Sequence, residues 1–455
     1  MNELPNILLI TTHDLGTHLG CYGWDPALPT PHLNRLAAEG VRFENHFCTA
    51  PFCSPSRGSI ITGKYPHVNG LMGLVNLGWD IPDANVFLPE LLNRAGYETA
   101  LIGFQHVAAD PAKLGYHHIG KRGKYACRTV APEAIGFLEQ RARSSQKPFY
   151  LEVGFSEVHR PYGNLEQIPV SEENIRPLPF LRDTPGLRMD MAMFYENVRR
   201  MDQATGTILE ALERVGLKEN TLVIFTTDHG IAFPRAKATL YDPGIRTSLL
   251  IRWPQGIQGG RAIAALVSNT DLFATLTEIV DGSHPEGCNG QSFLRVLQGE
   301  RADTRKAIFA EMNTSPDDIN RCIRTSAYKY IRNYNAGPKL LFPTDIEVSA
   351  TRRDMGEDHL APRQAVELYD LEHDPWERVN LAGQESYRTV EQDMSARLQR
   401  ELEKTHDPVL QDEITRPRKE ADIIARIWLP EEMQKRADKE KALHQSFERL
   451  RSGLS

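Results

Sequence analysis

Short apolar runs that alternate with helical segments are the feature that most constrains the fold of this chain. The strand-like runs are rich in β-branched residues and lie at positions 6–11, 99–103, 148–155, 221–226 and 248–253. Apolar residues at helical spacing predict helices at positions 31–40, 88–95, 191–215 and 271–280. Strands that alternate with helices predict an α/β fold, with a doubly wound and mostly parallel sheet flanked by helices.

Chemically reactive side chains directly follow these strand-like runs. They are His13, Asp14, His106, His159, Asp228 and His229. In doubly wound sheets, ligands bind beyond the carboxyl ends of the strands. The pattern therefore predicts one site at which these side chains meet.

The second part of the chain has a different character. After about residue 305, short segments near positions 307, 329 and 367 are typical of antiparallel strands, and the tail from about residue 386 is helical and heavily charged. We therefore expect two domains. The α/β domain with the reactive residues spans residues 1–305, and a smaller C-terminal α+β subdomain with a charged helical tail spans residues 306–455.

Composition excludes several classes of function. Of 455 residues, 25% are charged, and the net charge of −7 is spread over both signs, so no nucleic-acid partner is expected. No window approaches the ~18 consecutive apolar residues of a membrane span, and no signal peptide is visible. Six cysteines are too few for a disulfide framework in so long a chain. We expect a cytoplasmic location and no membrane partner, and an oligomer is compatible with the sequence.

The stretch from Cys53 to Gly63 reads Cys-Ser-Pro-Ser-Arg-Gly-Ser-Ile-Ile-Thr-Gly. This combination of Cys, Pro, Arg and Thr-Gly at fixed spacing resembles the signature of the sulfatase family. The resemblance implies that a formylglycine-generating maturation enzyme oxidises Cys53 to 3-oxoalanine (formylglycine), whose hydrate attacks sulfur. It also implies that Arg57 holds the developing anion by bidentate hydrogen bonds.

An aldehyde hydrate is a weak nucleophile at neutral pH, so the resemblance also implies a divalent metal ion. In sulfatases, an acidic pair follows the first strand, and an Asp-Asn or Asp-His pair follows a late strand. The matching positions are His13-Asp14 and Asp228-His229, which form the expected metal site together with Cys53. The family implies Ca²⁺, but the imidazole of His13, where Asp is usual, favours Mn²⁺, Zn²⁺ or another transition metal. Alternatively, His13 lies behind the ligands and Asp14 carries the coordination.

Four cationic residues complete the site that the resemblance implies. They are Arg57, His106, His159 as the group that protonates the leaving group, and Lys237 as a clamp on the sulfate. Where sulfatases usually carry a further lysine, this chain has Phe104. Lys64 is a candidate to replace that charge.

The resemblance covers nearly the whole chain and is strongest to the N-sulfoglucosamine sulfohydrolase (sulfamidase) branch. The stretches Pro-His-Val-Asn-Gly at 66–70, Asp-His-Gly-Ile-Ala-Phe-Pro at 228–234 and Thr-His-Asp-Pro at 405–408 support this. It implies hydrolysis of a sulfate ester or a sulfamate in a small anionic substrate, either a sulfated sugar or an aryl sulfate.

Two other functions are compatible with these motifs. A phosphonate monoester hydrolase or phosphodiesterase shares the formylglycine signature and has an Asp-His pair at the late strand. A non-catalytic protein that only binds a sulfated ligand, with Cys53 never oxidised, is compatible with the departures at His13 and Phe104.

Overall fold

A nine-stranded sheet forms the larger part of the molecule. The structure is a computed structural model that describes residues 4–144, 147–163, 165–168, 170–300, 304–315 and 318–452. The strands of the sheet are β1 (Asn6–Thr12), β2 (Val41–Phe47), β3 (Glu98–Gly103), β4 (His118–Ile119), β5 (Phe149–Gly154), β6 (Thr221–Thr227), β7 (Arg246–Thr247), β8 (Leu249–Arg252) and β9 (Arg261–Ser268). They run in the order β4-β3-β5-β1-β6-β8-β2-β7, and β9 pairs with β2. Neighbouring strands from β4 to β6 are parallel, which confirms the predicted mostly parallel sheet.

Helices cover both faces of this sheet. They are α1 (Pro31–Glu39), α2 (Cys53–Thr62), α3 (Pro66–Asn69), α4 (Leu88–Arg94), α5 (Cys127–Ser144), α6 (Pro185–Arg214), α7 (Asp242–Ile245), α8 (Thr270–Asp281) and α9 (Leu294–Leu297). Side chains of β1 alternate between two cores. Leu8 and Ile10 join an apolar cluster with residues of α1, α5 and α6, while Ile7 and Leu9 join another with residues of α2, α4 and α8. A strand that is buried on both faces needs the continuous apolar run that the sequence shows.

A four-stranded antiparallel sheet with the order β10-β11-β12-β13 forms the second part. Its strands are β10 (Ile308–Ser315), β11 (Asp318–Arg324), β12 (Tyr328–Asn333) and β13 (Val366–Asp370). The helices of this part are α10 (Thr344–Glu347), α11 (Ala350–Arg353), α12 (Arg388–Lys404), α13 (Glu420–Ile427) and α14 (Pro430–Arg451). Met394, Leu398 and Leu402 of α12 pack against the sheet in one apolar cluster. The smaller α+β part is therefore present, and its limit at residue 305 stays a prediction.

The six cysteines are all free. This agrees with the expectation that the chain has no disulfide framework. Among the described residues, no helix has both the length and the apolar character needed to cross a bilayer.

Candidate active site

The ends of β1 and β6 bring two of the predicted dipeptides together. These parallel strands pair up to their last residues, so His13-Asp14 and Asp228-His229 leave the sheet side by side. Hydrogen bonds join the two strand ends, since the Asp14 amide donates to Asp228 Oδ1 at 3.0 Å and the Gly16 amide donates to the His229 carbonyl at 3.0 Å. All four side chains are buried.

Gly230 lets the backbone pass close to α7 directly after His229. Its amide donates to the Gly244 carbonyl at 2.8 Å. A β-carbon at position 230 would lie only 1.8 Å from the Pro243 carbonyl oxygen, so the approach leaves no space for a side chain. The glycine of the Asp-His-Gly motif therefore has a packing role next to the reactive residues.

Cys53 is the first residue of α2, in the segment that follows β2. Its Sγ lies 3.3 Å from His229 Nε2, and the side chain is buried. The structure therefore places the predicted nucleophile directly beside the predicted metal ligands.

Five side chains form one compact donor cluster. One ligand atom from each of His13, Asp14, Cys53, Asp228 and His229 lies within 4.8 Å of all the others. His13 Nδ1 is 2.9 Å from Asp228 Oδ2, and His229 Nε2 is 3.1 Å from Asp14 Oδ1. Within the described part of the chain, His13 Nδ1 and Asp14 Oδ1 nevertheless have no aligned hydrogen-bond partner, although both atoms are buried. Converging carboxylates and imidazoles with such unsatisfied atoms fit a bound divalent cation.

The charges of the donor cluster shift the pKa values of its members. Burial alone would lower the pKa of His229, but the carboxylates of Asp228 and Asp14 raise it to about 9. Burial also opposes ionisation of His13, yet Asp228 and Cys53 raise the pKa of this imidazole above its ordinary value. Against the same effect of burial, His13 and His229 hold the pKa of the Cys53 thiol well below its usual range. Charged forms that stabilise one another are therefore favoured throughout the cluster.

Arg57 lies beneath the donor cluster and does not line a cavity around it. Its Nε donates to Asp228 Oδ2 at 3.1 Å, and its Nη atoms donate to Thr11 Oγ1 at 3.2 Å and to the Thr12 carbonyl at 2.9 Å. The guanidinium also lies 5.2 Å from the centroid of the Phe104 ring. The donors of Arg57 are bonded to protein acceptors in this structure, and its contact with a substrate anion stays a prediction. In the structure, Arg57 is a positioning residue for Asp228.

Lys237 and His159 lie side by side, together with a carboxylate that the motifs do not reveal. Lys237 Nζ is 2.9 Å from Asp14 Oδ2 and 3.3 Å from His159 Nε2. It is also 2.8 Å from Asp345 Oδ2, in α10 of the C-terminal part. Burial and the Lys237 ammonium lower the pKa of His159, and the same ammonium holds the pKa of Asp345 below its usual value against the effect of burial. Asp345 stands alone in the sequence, with no motif that marks it as a site residue.

His106 reaches the site through a left-handed backbone conformation, with a φ of 58°. The Phe104 ring packs beside it and beside His13, at centroid distances of 5.1 and 4.5 Å. An uncharged ring therefore occupies the position at which the family usually carries a lysine. Lys64 does not supply the missing charge, because it lies beyond the far end of α2, with Nζ 3.5 Å from Asn85 Oδ1.

A cavity of about 990 Å³ opens above the donor cluster. Cys53, His106, His159 and Lys237 line it together with Asp345. Much of the remaining wall comes from the C-terminal part of the chain. Because a sulfate group fills only a small share of a cavity of this size, most of the space is available to the rest of a substrate.

Comparisons with known proteins agree with this geometry. The family model "Sulfatase" matches residues 5–283, and the model "N-sulphoglucosamine sulphohydrolase, C-terminal" matches residues 229–342. The chain is 30% identical to the N-sulphoglucosamine sulphohydrolase of Homo sapiens, over 89% of this chain and 91% of that protein. It is 28% identical to an ulvan-active sulfatase of Formosa agariphila, over 94% of this chain and 78% of that protein.

A solved structure extends the likeness to the fold. The phosphonate monoester hydrolase of Agrobacterium radiobacter superposes with a TM-score of 0.71 at 20% identity, covering 90% of this chain and 97% of that one. At that identity the match shows a common fold. The family matches, in contrast, span both strand ends, Cys53 and Lys237. This chain is therefore a member of the sulfatase family, in its sulfamidase-like branch.

Proposed function

We propose that this chain hydrolyses the sulfamate or sulfate-ester bond of a small sulfated sugar, through a nucleophile made from Cys53. Membership of the sulfatase family supports the reaction class, and the 30% identity to N-sulphoglucosamine sulphohydrolase favours a sulfamate. The observation that carries the proposal is the position of the Cys53 side chain. It belongs to the donor cluster, 3.3 Å from His229, and it also lines the cavity. An aryl sulfate is the alternative substrate of the same site.

The donor cluster fits the groups that the family implies. When present, an aldehyde hydrate at residue 53 supplies an oxygen nucleophile, and a divalent cation held by the two aspartates and two histidines lowers the pKa of that oxygen. The chain fixes its carboxylates before substrate binds, because Arg57 holds Asp228 and Lys237 holds Asp14. Charges that are oriented in advance stabilise a transition state without the cost of reorganisation.

His159 and Lys237 are placed to act on the leaving group and the sulfo group. Both line the cavity, and their nitrogen atoms are 3.3 Å apart. Hydrolysis breaks the S–N or S–O bond, and the departing amine or alcohol needs a proton, which a protonated His159 is positioned to donate. Lys237 attracts the sulfo oxygen atoms, and its charge favours release of the proton from the neighbouring imidazole.

The donor types bear on the identity of the metal ion. Ca²⁺, which the family resemblance implies, prefers oxygen ligands, whereas this cluster offers two imidazoles with its two carboxylates. Imidazole nitrogen favours Mn²⁺, Zn²⁺ and other transition metals. We therefore expect elemental analysis of the purified protein to detect a bound transition metal. Protein that takes up only Ca²⁺ when both kinds of ion are supplied would contradict this expectation.

Intact-protein mass and a substrate panel test the proposal together. Protein produced with a formylglycine-generating enzyme should be lighter by the difference between a thiol and an aldehyde side chain at residue 53. It should release sulfate from N-sulfoglucosamine with a higher kcat/KM than from 4-nitrophenyl sulfate. Protein that keeps its thiol in such a host, yet binds sulfated sugars, would instead support the non-catalytic binding function.

A phosphonate monoester hydrolase is the second candidate. The Asp228-His229 pair favours it, and an enzyme of this kind has the same fold. Sulfate and phosphonate esters are both tetrahedral anions, so one site can accept either. Kinetics on an aryl sulfate and an aryl phosphonate monoester with the same leaving group separate the two functions, and a higher kcat/KM for the phosphonate would replace the sulfatase assignment.

A further inference from the structure

Two helices near the C-terminus of the described chain form the wall of the active-site cavity away from the sheet. They are α13 and α14, together called the helical pair, and both follow residue 342, where the second family match ends. The helical pair and the turn between its helices contribute Ile424, Ile427, Trp428, Arg436, Lys439 and the largely buried Glu440 to the cavity wall. A segment outside both family matches therefore supplies part of the surface that meets the substrate.

Helix α13 is fixed to the loop around Trp79. Glu420, its first residue, is buried and accepts a hydrogen bond from Trp79 Nε1 at 2.6 Å. Arg416 donates to both oxygens of the same carboxylate, at 3.2 and 3.1 Å. A buried carboxylate holds these partners tightly, because the loss of either one leaves a charge or a donor unpaired.

Helix α14 is fixed to the loop that carries His159. Its Glu440 is buried and lies 3.3 Å from Arg160 Nη1, while Arg160 Nη2 donates to Asp190 Oδ2 at 2.9 Å. One turn later, His444 Nε2 is 3.5 Å from Glu440 and 3.7 Å from Asp190. Each helix of the pair is thus held by a buried glutamate, so the cavity wall between them has a defined position.

Arg436 and Lys439 place two positive charges on this wall. Arg436 lies one helical turn before Glu440, and Lys439 lies three residues after Arg436, so the two cations are neighbours on the surface of α14. Among the described residues, neither has a carboxylate within ion-pair distance, whereas the neighbouring Lys435 pairs with Glu432 at 2.6 Å. Like charges at this spacing repel each other, and an anion bound between them removes that repulsion.

Trp428 provides an apolar surface beside these charges. It keeps 40% of its area exposed, which is unusual for so large an apolar side chain, and it lines the cavity. Ile424 and Ile427 extend the apolar surface along α13. Rings with an apolar face, such as those of sugars and aryl groups, bury that face against indole and aliphatic side chains.

We infer that the helical pair is a second substrate subsite, in which Trp428 contacts the substrate ring while Arg436 and Lys439 bind a second anionic group. The inference rests on the proposed function, which puts the reacting sulfo group at Cys53. That group leaves room in the cavity for a ring to extend towards the helical pair. The second anionic group is another sulfate or a carboxylate, since both accept charge-assisted hydrogen bonds from Arg and Lys.

Kinetics of charge-removal variants test the subsite. Arg436→Ala combined with Lys439→Ala should lower kcat/KM for N-sulfoglucosamine 6-sulfate by about ten- to a hundredfold, the loss expected for charge-assisted hydrogen bonds. The value for N-sulfoglucosamine, which has one anionic group, should stay within about twofold. Lys435→Ala combined with Lys441→Ala is the matched control, since it removes equal charge from α14 at residues that do not line the cavity. Equal losses on both substrates, or an equal loss in the control, would overturn the subsite.

A binding measurement separates failure of this inference from failure of the proposed function. Calorimetry with glucosamine, glucosamine 6-sulfate and glucuronic acid requires no turnover. We expect at least one anionic sugar to bind more tightly than glucosamine, and the Arg436/Lys439 variant to lose that preference. Whichever sugar is preferred identifies a sulfate or a carboxylate as the second group. Trp428→Ala should weaken the binding of all three sugars. A wild-type protein that binds neither anionic sugar more tightly than glucosamine would refute the inference, even if it hydrolyses sulfamates.

Discussion

Two buried clusters of histidine and carboxylate groups in this molecule differ in how their charges are satisfied. The first is the donor cluster at the ends of β1 and β6. The second joins His67 of α3 with Glu311 of β10 and Asp407 near the end of the chain. In both clusters, one ligand atom per residue lies within 4.8 Å of the others. Donor type and spacing alone would therefore predict a metal ion in both.

Both clusters contain cationic side chains, but only in the second cluster does one of them bond both oxygens of a carboxylate. Arg321 donates to both carboxylate oxygens of Asp407, at 2.5 and 2.8 Å, and His67 pairs with Glu311. In the donor cluster, Lys237 bonds only Oδ2 of Asp14. Asp14 Oδ1 lies 3.1 Å from His229 Nε2 but has no aligned hydrogen-bond partner. The donor cluster therefore differs from the second cluster in two respects, because it holds buried atoms without an aligned hydrogen-bond partner and because Cys53 opens into the cavity.

The largest effect is expected in the donor cluster. Cys53→Ala should lower sulfate release by at least about 10³-fold, because the nucleophile is lost, while the free energy of unfolding changes by less than about 2 kcal/mol. Chelation of the wild-type protein should abolish activity, and re-addition of metal should restore it. Cys48→Ala, at another buried free cysteine, is the control that should keep its activity. If Cys53→Ala unfolds under conditions in which the wild type is folded, the thiol is structural.

Substitution of the histidine in each region should affect kcat/KM differently, and both effects should be smaller than that of Cys53→Ala. The His159 side chain is 38% exposed in the cavity, whereas that of His67 is 5% exposed in its sealed cluster. His159→Ala should lower kcat/KM for N-sulfoglucosamine by about 10²-fold, and much less for 4-nitrophenyl sulfate, whose leaving group needs no proton. His67→Gln should leave the ratio of the two values unchanged. Equal losses on both substrates in His159→Ala would contradict its role as the acid.

The two regions also show which features of the structure could be predicted from the sequence. Strands β1 and β6 are buried on both faces, so the reactive residues after them could be found from an apolar run that ends in polar residues. The motif marked Arg57, but its bond to Asp228 spans 171 residues and required the fold. Strands β2 and β9 escaped prediction, since polar residues interrupt β2, alanine makes up much of β9, and their pairing is non-local. Asp345 and the helical pair reach the cavity only through tertiary packing, which no local pattern encodes.

In the second cluster, a substitution should change the stability of the protein but not its activity. Arg321→Met removes the buried guanidinium that bonds both oxygens of Asp407, which should lower the free energy of unfolding by about 3–5 kcal/mol. Activity per folded molecule should be retained, because Arg321 does not line the active-site cavity. Arg295→Met is the control, since that side chain is 66% exposed and its pair with Glu300 should contribute at most about 1 kcal/mol. Urea unfolding measures both, and equal small effects would mean that the cluster does not stabilise the fold.

The smallest effect concerns the charge of His67. Burial lowers the pKa of this imidazole, but Glu311 and Asp407 outweigh burial and Arg321, so the pKa lies above its ordinary value of 6.5. Tyr65, stacked at 5.8 Å, adds no charge at neutral pH. Protonated His67 therefore contributes stability that is fully present below about pH 6.5 and is lost as the pH rises through the folded-state pKa. Relative to His67→Gln, the wild type should lose unfolding free energy as the pH rises above 6.5, measured by urea titration at each pH. Groups common to both proteins cancel in this difference. A difference that is constant with pH would show that His67 is neutral in the folded state, leaving Arg321 as the cation that sustains the cluster.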